Sequence, residues 1–137
     1  QSHITRDEIG VENEHLIVPL RMLLDSGVNV GLATGNVPTT LFYPIWQTVS
    51  RHNMHLKAPV GLGQRLGRED ALRCATMGGA YLTFEEDRKG SIEDGKLADL
   101  AVLTDDPLTC AEDDLKDIKA ETTIVDGRIV YQREDAQ

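Results

Sequence analysis

The sequence is short of positive charge, of aromatic side chains and of cysteine, and each shortage closes off a class of function. Fourteen Lys and Arg stand against 23 Asp and Glu in 137 residues, a formal net charge of −9. A field of that sign repels phosphate backbones and anionic lipid, and no basic cluster offsets it. Neither nucleic acid nor a membrane surface is therefore expected as a partner. Aromatics make up only 4%, so a core has to rest on Leu, Val, Ile and Ala. Cys74 and Cys110 lie far apart without CxxC spacing. Free thiols in a reducing, cytoplasmic setting are the first expectation, with a disulfide left open. No charged-then-apolar leader opens the chain, which begins at Gln1, so a start within a longer protein or a trimmed end is expected. Residues 26–50 carry no charge, but Gly27, Gly31, Gly35, Pro38 and Pro44 argue against a membrane span.

What is present reads as α/β. Residues 1–13 are polar and acidic, as in a frayed leader. Leu16, Leu20, Leu23 and Leu24 then fall on one stripe at helical spacing, with Pro19 in the first turn and Gly27 placed for a left-handed C-cap. Residues 28–34 form a short apolar run that predicts a buried strand, followed by a loop over 35–40. Phe42, Ile45, Trp46 and Val49 predict a short helix over 41–51. Residues 52–66 read as a polar loop, and 68–84 as one helix with Leu72, Ala75, Met77, Ala80, Tyr81 and Phe84 apolar. Beyond residue 85 the texture becomes β-rich. Asp94-Gly95 marks a turn, and Asp126-Gly127 joins runs 122–125 and 128–131 in a hairpin.

At Lys89-Gly90-Ser91-Ile92-Glu93-Asp94-Gly95-Lys96-Leu97-Ala98-Asp99-Leu100-Ala101-Val102-Leu103 the sequence closely resembles the KGSIxxGKxADLVVL signature of amidohydrolases. Four further segments agree in order. Residues 66–76 resemble the family's final barrel helix, with Gly67 where Ser or Thr is usual. Residues 105–108 and 123–131 resemble its closing turn and hairpin, and 20–34 the helix and strand leading to its last catalytic position. The resemblance covers about residues 14–131, nearest the third amidohydrolase subfamily. It implies the C-terminal portion of a TIM-type (β/α)8 barrel over 14–84, and strands of a small composite β-sandwich over 85–137.

In that family, metal-bound water attacks a carbon–nitrogen bond other than a peptide bond, and an Asp ending the eighth strand relays the proton. The resemblance therefore implies a divalent, zinc-type metal in the complete parent. None is expected for this chain, which holds no HxH pair and carries Gly35 in place of the eighth-strand Asp. Thr34, Asn36 and Trp46 become candidate substrate-binding residues by the same resemblance, with core packing the alternative for Trp46. The expected partner is the N-terminal barrel portion or another copy of this chain, and a small-molecule substrate only in the full parent. A non-catalytic relic that self-associates through open barrel edges is the competing reading.

The other signals read as ordinary structure. His52 and His55 form an HxxH pair without nearby ligands, so a solvated loop is expected. His3 lies in the polar leader, and His15 is expected to open a helix. Gly61, Gly63 and Gly67 follow no strand, which leaves a nucleotide-binding loop as a weak third reading. Glu112-Asp113-Asp114 reads as a solvated helix start.

Overall fold

The computed structural model describes residues 2–35 and 40–134 as a mixed α/β chain with small antiparallel sheets. The polar leader is not frayed. Ser2–Ile9 forms helix α1, and Val11–Leu16 a 3-10 turn that has His15 near its end rather than its start. Little apolar burial holds these elements, which is why composition hid them. Arg6 pairs with Glu14 at 3.1 Å, Asn13 donates to the Ile9 carbonyl at 2.8 Å, and the His3 ring packs 4.2 Å from that of His55.

The expected Leu-striped helix is shorter than its periodicity suggests. Helix α2 covers only Leu20–Asp25, and Pro19 occupies its N-cap. Val18 sits at φ +49° just before it, so Leu16 falls outside the helix and stays exposed. The other end matches the expectation. Gly27, at φ +77°, donates to the Leu24 carbonyl at 2.9 Å, and Val28 donates to Leu23 at 3.0 Å, a Schellman closure.

Residues 28–34, expected as a strand, have no strand partner among the described residues and so are not part of a sheet. An apolar run can extend, but a strand needs a ladder on at least one side. The Leu32 N–H instead donates to the Cys74 carbonyl at 3.0 Å. That contact, and the seating of Gly78 directly on the Val30 carbonyl, coincide with a break in the expected 68–84 helix. The chain forms α4 over Arg68–Ala75 and α5 over Met77–Leu82, broken at Thr76. In a continuous helix the Cys74 carbonyl would accept from Gly78. Phe84, expected on the apolar face, lies past the helix at φ +58° and is 90% exposed.

Helix α3, Phe42–Ser50, forms as expected and buries Ile45, Trp46 and Val49. The region after it is more ordered than a polar loop. His52–Asn53 (β1) pairs antiparallel with Ala58–Pro59 (β2), and a 3-10 turn follows at Leu62–Gln64. The Asn53 Oδ1 accepts from the N–H of His55 and of Leu56, both at 3.0 Å, and closes the turn between the short strands.

The second sheet has strand order β3-β4-β5, all antiparallel, over Leu100–Leu103, Ala120–Val125 and Arg128–Gln132. Asp126 and Gly127, at φ +50° and +73°, form the two-residue left-handed turn that the Asp-Gly pair predicts. The acidic run leads into a 3-10 turn at Leu115–Asp117. Leu115 and Ile118 join Leu20, Ile45, Trp46, Val49, Leu66, Ala71 and Cys74 in one core, which spans both sides of residue 85. Both cysteines are free thiols. Among the described residues no helix is long and apolar enough to cross a membrane.

Candidate functional site

Thr34 and Gly35 end the segment that follows α2. Thr34 is half-buried. Gly35 turns outward at φ +64°, with nothing within 4 Å of the place a Cβ would take. It offers no side chain for ligation or proton transfer, although a longer residue would find space there. Asn36 lies outside the described residues.

Trp46 is drawn inward, 5% exposed, on the face of α3 that packs into the core. Its ring meets Tyr43 at 5.4 Å and His52 at 5.6 Å, and the Lys116 Nζ lies 5.3 Å above it. The Trp46 Nε1–H is buried and finds no partner among the described residues. Among the described residues, neither Thr34 nor Trp46 lines the clefts that follow.

A cleft of about 400 Å³ opens instead between α3 and the turn before α2, with Leu32 in its wall. Ile17, Val18, Leu20 and Val60 give it an apolar surface, and Gln47, Thr48, Arg51 and His52 give it polar groups. Arg51 caps the C-terminus of α3 at φ +58°, where the helix dipole favours a cation. Its guanidinium donates to the carbonyls of Val60 at 3.0 Å, Val18 at 3.1 Å and Ile17 at 2.6 Å. Burial pushes the Arg51 pKa down, while the charge of Glu14 opposes that shift. Arg51 was not singled out in the sequence. The signal was a lone cation ending a long uncharged run.

A larger groove of about 660 Å³ lies between the helices and β3, walled mainly by apolar groups such as Phe42, Leu72, Ala80, Ile92 and Val102. The signature segment borders it and is held by Lys96. The Lys96 ammonium donates to the Glu86 carbonyl and the Ser91 hydroxyl, both at 2.7 Å, and meets Glu93 at 3.4 Å. Lys96 is thus a tie between loops.

Among the described residues, no three His, Cys, Asp or Glu side chains gather closely enough to hold a metal ion. His52 turns to Trp46 and His55 to His3, so the HxxH pair diverges. The donor set does not fit a catalytic metal. The glycine-rich stretch lacks phosphate-cradling geometry as well. Gly61, at φ +63°, backs onto the Glu14 carbonyl, a 3-10 turn follows it, and α4 starts only at Arg68.

Comparison with known proteins extends the likeness to the first residue. The amidohydrolase family model matches residues 1–131, so the segment 1–13 belongs within it. N-substituted formamide deformylase of Arthrobacter pascens is 37% identical over 128 residues, covering 90% of this chain and 23% of that protein. Imidazolonepropionase of Micrococcus luteus is 39% identical over 87 residues, 64% of this chain and 20% of that one. The chain thus spans less than a quarter of the length of these relatives. Among solved structures, an amidohydrolase from Thermotoga maritima superposes with a TM-score of 0.60 at 25% identity, covering 84% of this chain and 26% of that one. Guanine deaminase of E. coli gives 0.61 at 24% identity, over 89% and 33%, a likeness of fold.

Proposed function

The chain belongs to the amidohydrolase family, and we propose that it forms the C-terminal portion of a metal-dependent hydrolase acting on carbon–nitrogen bonds other than peptide bonds. The observation that carries this reading is the match over residues 1–131, joined to relatives whose names specify a formamide deformylase and an imidazolonepropionase. In this reading residues 14–84 are the last αβ units of a TIM-type barrel, and 85–137 complete part of a β-sandwich. The order α2, extended segment, α3 supports the first assignment. The three-stranded sheet with exposed apolar faces supports the second.

The divalent metal of the family belongs, on this reading, to the complementary barrel portion. No catalytic step is assigned through it to residues of this chain. Gly35 cannot carry a proton, so the isolated chain is inactive. Thr34 and Asn36 are its candidates for contact with substrate at the barrel rim, and Trp46 acts from behind, through its packing against Tyr43 and His52.

The test is to co-produce this chain with the part of the Arthrobacter deformylase that precedes the matched segment, and to follow formate release from an N-substituted formamide. Gly35→Asp in the chain alone is expected to give no turnover, because one carboxylate cannot hold a catalytic metal. Gly35→Asp with the complementary part is expected to give turnover, and the Gly35 chain none. Co-migration of the two parts without turnover from either variant would keep the architecture and remove the activity. Failure to co-migrate removes both. Gly35 also favours a second reading, a non-catalytic module that pairs with its own copy. A dimer in sedimentation, with no affinity for the barrel portion, would establish it.

A further inference from the structure

The cleft between α3 and the turn before α2 is lined by one cation and no acid in an acidic chain, and we propose that it binds a small molecule bearing a single carboxylate, with Arg51 as the anchor. None of the residues lining the cleft is Asp or Glu, although the chain carries 23 of them. Arg51 is the one lining side chain with a permanent charge, and His52 is its titratable neighbour. The three carbonyls that receive the guanidinium fix its orientation but carry no formal charge. Glu14 is the acid that acts on it, and the Glu14 carboxylate is engaged by Arg6 at 3.1 Å. The C-terminus of α3 and the more distant charge of Glu14 compensate this half-buried cation in part, no carboxylate is bonded to it, and an anion entering the cleft would pair with it directly.

Geometry narrows the ligand. A guanidinium has five N–H donors in a planar fork. Three are spent on carbonyls, so the remaining pair suits one carboxylate better than a phosphate dianion, which asks for more donors and more charge. The apolar wall of Ile17, Leu20, Leu32 and Val60 fits a short hydrocarbon body behind the charged group. Two of the five described non-glycine residues at positive φ lie at the same place. Val18, a β-branched residue at φ +49°, and Arg51, at φ +58°, both line the cleft, and Val18 presents its carbonyl to Arg51. Conformations of that kind persist where the surroundings over-determine them, which binding sites commonly do. That the carboxylate belongs to a substrate rests on the hydrolase reading; the binding itself does not.

The experiment is an NMR titration of the full chain with propionate and, separately, with uncharged propionamide of the same shape. Propionate is expected to shift the Arg51 Nε–H and the amides of Val18 and Val60 saturably, with propionamide at least tenfold weaker. Raising salt from about 20 to about 200 mM is expected to weaken propionate several-fold and leave propionamide unmoved. Arg51→Gln is expected to erase the preference. If that variant unfolds, the acid–amide comparison and its salt dependence in the unaltered chain decide the matter. Equal response to both compounds, or none to either, overturns the proposal. Because no turnover is read, loss of the hydrolase reading leaves this result standing, and the reverse also holds.

Discussion

The helical region before residue 85 and the β region after it were built by opposite kinds of information. The helical region holds most of the core: Leu20, Ile45, Trp46, Val49, Leu66, Ala71 and Cys74. Its element boundaries were nevertheless poorly legible. The β region has strands where the alternation and the Asp-Gly turn place them, yet it buries little. Every residue of β5 is exposed, Ile129, Val130 and Tyr131 included, so the strand is covered on neither side. Local signals made the hairpin, whereas long-range contacts made the helical core. What holds the β region to the rest is a short list of ties. Leu115 and Ile118 pack into the core, Arg68 donates to the carbonyls of Pro107 and Cys110 at 2.8 and 2.7 Å, and Arg65 pairs with Glu112 at 2.8 Å.

The largest test of this contrast compares a core truncation with a strand truncation. Leu115→Ala, at a fully buried position, is expected to lower unfolding free energy by about 2–5 kcal/mol in urea titration. Ile129→Ala is expected to change it by no more than about 0.5 kcal/mol. An equal loss at Ile129 would show that the strand face is covered in solution, by another copy or another chain.

A pair of adjacent glycines sharpens the comparison at intermediate size. A Cβ at Gly78 would collide with the Val30 carbonyl, both groups being backbone-fixed, so Gly78→Ala is expected to cost about 1–3 kcal/mol. At Gly79 nothing lies within 4 Å, and Gly79→Ala is expected to stabilise α5 by about 0.5–1 kcal/mol. Thermal melting of the two variants should move in opposite directions. Equal signs would mean that segment 28–34 does not rest on α5.

The smallest effect lies at the N-terminus. Desolvation, then the neighbouring His55, lowers the His3 pKa below its ordinary value of 6.5, while Asp7 pulls it back up. The unfolded chain therefore takes up this proton first. The contribution of His3 to docking of α1 is full above pH 6.5, weakens as pH falls below it, and stops changing once the folded form is protonated too. Amide exchange in α1 should quicken between neutral and mildly acid pH, and His55→Gln should flatten that response. A response unchanged in the variant would sink the assignment to the His3–His55 contact.

Several features were readable from the residues alone because their causes lie within a few positions. Gly27 closes α2 since only a residue free of Cβ strain takes that φ cheaply, and Asp126-Gly127 sets the hairpin by the same logic. Helix α3 announced itself through Phe42, Ile45, Trp46 and Val49. The break in the 68–84 helix is not legible in its own residues because it coincides with contacts to Val30 and Leu32, some forty residues earlier in the chain. The leader was misjudged because Arg6–Glu14 and His3–His55 are pairings that composition does not show. The site was the least legible. Its motif position holds Gly35, and its strongest polar feature, Arg51, is defined by carbonyls from two separate segments, Ile17-Val18 and Val60.

The sequence by itself determined the family, through ordered segment matches, and the turns and hairpin, through residue-level steric preference. It also determined that position 35 holds a glycine, which has no side chain to ligate or relay a proton, since that depends on the identity of one residue. The tertiary structure alone decided where helices stop, which side chains share the core, and that a guanidinium held by three carbonyls lines a cleft. Those outcomes depend on which backbone carbonyl meets which donor across the fold, and such pairings are fixed only when distant segments pack.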